Sequence, residues 1–204
     1  MQQTQTVVFD LGEVQERQQR LREALKNIEL AKIALAEYYL DTQAWEIGMS
    51  QAYPHLPISV IQEHEITESY VRFVMEGVLP IIFDKSDAKY HRKVREHYMN
   101  QMVQFVTTNH IQRKFAPAFV LLAQYFPDMK IRDLDNRSKS FIFNGLRYSG
   151  LIQEDSWFKL SYMDCGFLDK ENPRTEIWVC NQSDMFEVLE EIKVKSEGRK
   201  TQEK

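Results

Sequence analysis

Cysteine is nearly absent from this chain of 204 residues, which has only Cys165 and Cys180. So small a supply excludes a disulfide-framed secreted fold, and both thiols are expected to be reduced core residues on strands. No Cys/His cluster shows the spacing of zinc ligands. No apolar run approaches the length of a membrane span, so a membrane is not an expected partner. The opening Met-Gln-Gln-Thr-Gln-Thr lacks the basic and apolar regions of an export signal, which predicts a cytoplasmic protein. There is no internal repeat. What is present, 43% hydrophobic and 12% aromatic residues, suffices for one domain core with a modest appendage.

Net positive charge is also lacking, since the whole chain carries -4. Divided along its length, however, the charge is uneven. Residues 85–150 hold twelve Lys or Arg against five Asp or Glu, and the acid is concentrated in the two ends. A basic middle suits a surface facing DNA phosphates. The candidates for phosphate contact are Lys89, Arg92, Lys93 and Arg95 on one expected helix, then Arg113, Lys114, Arg132, Arg137 and Arg147. His91, His97 and His110 are read as surface or cap residues rather than bases.

Two of the five acids in that basic stretch form the most specific pattern. The run Ile131-Arg-Asp-Leu-Asp-Asn-Arg-Ser-Lys139 follows an apolar segment, Phe119 to Leu122, that reads as a strand arriving from the core. Strand geometry would put Asp133 and Asp135 on one face, where their charges repel unless a cation joins them. Asp135 or Asn136 can cap a helix over Arg137 to Ser149, with Gly150 at its end. Lys139 would then lie about one turn into that helix and face back to the carboxylates. With Asp155 from Gly150-Leu-Ile-Gln-Glu-Asp155 as a third carboxylate, the set suits magnesium-dependent cutting of a phosphodiester.

These residues carry a resemblance. Asp133-Leu-Asp-Asn136, Lys139, the Gly that follows and the pair Glu154-Asp155 resemble the RusA family of Holliday junction resolvases, over roughly Tyr70 to Val179. One extra residue separates Lys139 from Gly150, and Leu79-Pro-Ile-Ile-Phe83 stands where the family has a Pro-rich segment and an Asn. The resemblance implies Asp133, Asp135 and Asp155 as catalytic metal ligands and Lys139 as the catalytic lysine. It also implies Mg²⁺ as cofactor, with Mn²⁺ able to substitute, a four-way DNA junction as substrate, and a homodimer. A non-catalytic DNA-binding or interaction module that keeps the resolvase fold is the alternative.

The N-terminal part reads differently. Glu13 to Tyr39 has no Gly or Pro, and Val14, Leu21, Ile28 and Leu35 recur every seven residues, with Ala24, Leu25 and Ala31 between them. This predicts a long helix, either a short coiled coil or a helix lying on the main domain. The expected division is an extension and connector over 1–68, a nuclease domain over 69–182, and a C-terminal helix with a charged, disordered tail over 183–204. The expected fold class is α+β. Its sheet would be mixed, with about four strands in the order β-α-β-α-β-β, a final hairpin bearing the two cysteines, and helices on one face.

Overall fold

The segment Ala118–Phe126 is buried at all nine positions, so it needs cover on both faces and a strand on each side. The structure, a computed structural model, describes residues 11–43, 61–80, 87–130, 134, 137 and 139–200. In chain order its elements are α1 (Leu11–Gln43), β1 (Ile61–Ile66), β2 (Tyr70–Glu76), α2 (Ala88–Thr108) and β3 (Ala118–Phe126). Then follow α3 (Ser140–Tyr148), β4 (Leu160–Leu168), β5 (Arg174–Asn181), a 3₁₀ turn at Gln182–Asp184, and α4 (Met185–Lys200).

The strands form one five-stranded sheet in the order β1-β2-β5-β3-β4. Only β3 and β4 run parallel, and the chain crosses between them through α3. That follows from geometry, because parallel neighbours cannot be joined by a tight turn. The last strand, β5, runs antiparallel to both β2 and β3 and fills the centre.

Alternation along β3 and β5 divides the core in two. Val120, Leu122, Ile177 and Val179 meet α2 and α3 through Tyr98, Met102, Phe141 and Leu146. Phe119, Leu121, Tyr125 and Trp178 meet Val188 and Ile192 of α4 on the opposite face. Helices therefore cover both faces of the sheet, which corrects the expectation of one. Ile33 of α1 is buried within the first cluster.

The chain is α+β, as expected, with three further corrections. A fifth strand, β1, lies in the stretch read as connector; its polar Ile-Gln-Glu-His-Glu-Ile suits an edge, and β2 pairs with it. α4 runs on to Lys200, so residues 193–200 of the expected disordered tail are helical. The cysteines are not on a hairpin either. Cys165 pairs with Ala123 and Cys180 with Phe119, so β3 stands between their strands. Both are free thiols, and burial raises the pKa of each, Cys180 to about 12.

Between β2 and β5, on the α4 face, sits a buried ionic network. Arg174 binds the nearly inaccessible Glu176 at 2.8 Å and Asp169 at 2.5 Å, while its guanidinium lies 3.6 Å from the Tyr125 ring centroid. Arg72 approaches Glu176 from the other side at 3.5 Å. Each buried charge is thus paired, as burial requires.

Candidate functional site

α3 begins one residue after Lys139, which occupies its N-cap without a side-chain cap bond. The lysine therefore stands at the helix start, not a turn inside it. Its ammonium instead reaches across to β4 and donates to Asp164 Oδ2 at 2.9 Å. Gln124 of β3 donates to the other oxygen of the same carboxylate at 3.0 Å. Gln124 is fully buried, and among the described residues its own Oε1 has no hydrogen-bond partner. A buried acceptor left open costs about 1–3 kcal/mol.

Asp164 is the residue that sequence reasoning missed. It lies mid-strand in Leu-Ser-Tyr-Met-Asp-Cys-Gly-Phe-Leu, where a lone acid gives no periodic or motif signal. Its register opposite Leu122, beside Gln124, is a property of the sheet alone. The one available hint was an acid in a strand expected to pack on the core.

Asp133, Asp135 and Arg132 lie outside the described residues. Leu134, between the two aspartates in sequence, is described and half-buried. It packs towards Gly166, where an added Cβ would come within 3.8 Å of Leu134 Cδ2 and 3.3 Å of Phe126. Gly166 is two residues from Asp164, so the two share a face of β4. Such a Cβ would meet Leu134 at ordinary contact distance and would crowd only the Phe126 ring.

Asp155 is exposed on the loop between α3 and β4 and faces Arg147 at 3.3 Å. Arg147 also binds Asn144 Oδ1 at 3.0 Å, so the last turn of α3 fixes it. Asp155 lines a cleft of about 560 Å³ between α3 and β4, together with Ser140, Phe143 and Trp157. Leu160, Ser161 and Tyr162 complete its wall. Phe143 and Tyr162 touch with ring centroids 5.1 Å apart, and Trp157 is 89% exposed. An open aromatic wall beside one carboxylate and several hydroxyls can stack a planar heterocycle and hydrogen-bond its edge.

The basic candidates divide. Lys89, Arg92, Arg95 and Lys114 are exposed and free to meet phosphates. Lys93 is bound to Glu37 of α1 at 3.1 Å. Arg113 donates to the Thr67 carbonyl, holding the β1–β2 turn. Arg137 is a correction: it is buried and donates to the Leu79 carbonyl at 2.6 Å, so it braces the fold instead of facing DNA. His97 is a second, buried on α2 where a surface or cap residue was expected; burial, aided by the Lys32 charge, lowers its pKa.

Among the described residues, Lys139 and Asp155 are both brought to the α3–β4 side of the sheet, each with a partner of opposite charge. Among those residues no group of three or more His, Cys, Asp or Glu is placed to hold a metal ion. No known family model matches the chain, and comparison with curated proteins gives no match.

Proposed function

We propose that this chain is a magnesium-dependent endonuclease acting on four-way DNA junctions, in the manner of the RusA-family resolvases that its motif resembles. The observation that carries the reading is Lys139 held 2.9 Å from Asp164 on the parallel pair β3–β4, with Leu134 packed beside it on Gly166. A parallel strand, a corner, a helix and a second parallel strand form the unit in which ligand sites gather near the carboxyl ends of strands.

Carboxylates are the right donors for a hard divalent cation, and Asp155, exposed with one arginine neighbour, suits such a role. Asp133, Asp135 and Asp155 would hold Mg²⁺, or Mn²⁺ in its place, and the bound ion would supply positive charge to the reacting phosphodiester. Lys139 adds a fixed cation near the same phosphate, and Asp164 with Gln124 sets its direction. Trp157, Tyr162 and Phe143 offer ring faces to bases unstacked at a branch point. Lys89, Arg92, Arg95 and Lys114 supply phosphate contacts. Symmetric cutting of a junction asks for two active sites, hence a homodimer.

The test pairs a labelled four-way junction with a matching linear duplex in Mg²⁺. Paired nicks at symmetric positions on the junction alone are the expected result. Asp133→Asn and Asp135→Asn should each abolish cutting and keep junction binding. Cutting that survives in both variants rules the site out. Binding without nicks, in Mn²⁺ as well, points to a non-catalytic module on this fold.

A further inference from the structure

α1 presents two faces of opposite character. One is committed to the domain: Ile33 and Ala36 are buried, Tyr98 donates to Glu29 at 2.9 Å, Lys93 meets Glu37, and Lys26 pairs with Asp87. The other carries Val14, Leu21, Ile28 and Leu35, each seven residues from the next and 37%, 60%, 64% and 53% exposed. Three and a half residues per turn keep such a stripe on one side for about 32 Å of helix. Apolar side chains in so regular a row mark a contact surface rather than scattered exposure.

Between the large residues, at the intervening positions of the same stripe, stand Arg17, Ala24, Ala31 and Tyr38, all exposed. This alternation selects a partner. We infer that α1 pairs antiparallel with α1 of a second copy of this chain. In that arrangement Leu21 of one copy faces Ala31 of the other, and Ile28 faces Ala24, so each large side chain meets a small one. Val14 then faces Tyr38, and Arg17 faces Leu35 near the end of the contact, where its guanidinium reaches water.

A parallel pair fails on both counts. It stacks Leu21 on Leu21 and Ala24 on Ala24, leaving alternate crowded and empty layers. It also places Arg17 beside its own copy, so that two guanidiniums, each paired only with Glu13 of its own helix, share one layer of the seam. Charge and shape therefore favour the same orientation. The two-fold axis falls beside Leu25 and Asn27, each of which lies next to its counterpart. This pairing stands on α1 alone and does not depend on the nuclease reading.

The experiment uses the full chain without DNA. Light scattering after size exclusion should give twice the 24.2 kDa chain mass at micromolar concentration. The double variant Leu21→Glu, Ile28→Glu should halve that mass while keeping the circular dichroism and melting behaviour of the parent. Single cysteines then read the orientation against the parent with its two native thiols. Leu25→Cys and Asn27→Cys should cross-link on oxidation, and Val14→Cys and Leu35→Cys should not. A monomeric parent, which would also result if another segment of the chain covers the stripe, overturns the inference. So does a dimer that survives the double variant, or cross-linking at Val14 and Leu35 in place of Leu25 and Asn27.

Discussion

Lys139 and Asp164 are joined at 2.9 Å although 25 residues separate them, because α3 carries the chain from β3 over to β4. The carboxylate is mostly buried and takes a second bond from Gln124, so it cannot swing away. The lysine is correspondingly held in one direction by a buried partner. Asp164→Asn keeps the shape and removes the charge. Junction cutting should fall about tenfold to a hundredfold in kcat with KM little changed, since the loss is felt as charge builds up. Asp164→Glu should restore part of the rate, and the melting temperature tells whether the fold has moved instead. Unchanged kcat in Asp164→Asn would remove Asp164 from the site.

Trp157 projects into solvent at the mouth of the α3–β4 cleft, where its one ring contact is edge-to-face with Phe158 at 5.6 Å, so it has little packing to lose. Trp157→Ala should therefore leave stability alone. Stacking of a base on an aromatic ring contributes about 1–3 kcal/mol, so binding to a branched strand should weaken roughly fivefold to a hundredfold. Fluorescence anisotropy with a junction and a linear duplex would measure this. Equal loss on both, or none on either, argues against base stacking at a branch.

Gly145 sits where α3 crosses α2. A Cβ there would lie 3.0 Å from Met102 Cβ and 3.1 Å from its Cγ, with the Met99 backbone at 3.7 Å. Gly145→Ala improves helix propensity, yet the two helices must part for it. Overpacking of this kind costs about 1–3 kcal/mol, so the urea midpoint should drop. A rise in the midpoint would mean that Met102 yields freely.

His97 lies beside Lys32 and Glu37 of α1 and Lys93 of its own helix, α2. Burial first, and then the Lys32 charge, hold its pKa below the ordinary value, so the folded protein keeps it neutral. The unfolded chain takes up the proton first as pH falls through about 6.5, and it gains stability relative to the fold. This contribution is complete above that pH and is lost as pH drops below it towards the lower folded value. His97→Gln should flatten the fall in melting temperature between neutral pH and about pH 5.5. An equally steep fall in the variant would assign the pH dependence to other groups.

The legible parts of this fold were those written in local pattern. The helix expected to carry Lys89, Arg92, Lys93 and Arg95 is α2, and Gly150 ends α3 with φ +83° as a C-terminal glycine should. β1 was hidden because an edge strand pairs on one side only and tolerates Gln62, Glu63 and Glu65. The far end of α4 was hidden because Lys193 to Lys200 looks like solvent-loving tail, although the helix that Val188 and Ile192 anchor on Trp178 runs on through it. Within the candidate site, Lys139 and Asp155 stood out by spacing. Asp164 and Gln124 could not, since their meeting depends on a parallel register between β3 and β4. Arg137 was misread for the same reason: its partner is the carbonyl of Leu79, 58 residues earlier.

The strand order has a consequence for how the chain is made. Of the five described strands β5 comes latest in the chain, yet it lies between β2 and β3, which have no strand pairing with each other. Until residues 174–181 leave the ribosome, the sheet exists as two separate pieces: the β1–β2 ribbon and whatever β3, α3 and β4 can hold alone. A nascent chain halted before Arg174 has no central strand for either piece to join. Completion of this fold is therefore a late and nearly single event, and premature stops as far downstream as the β4–β5 turn should yield material for proteases and no partly folded product.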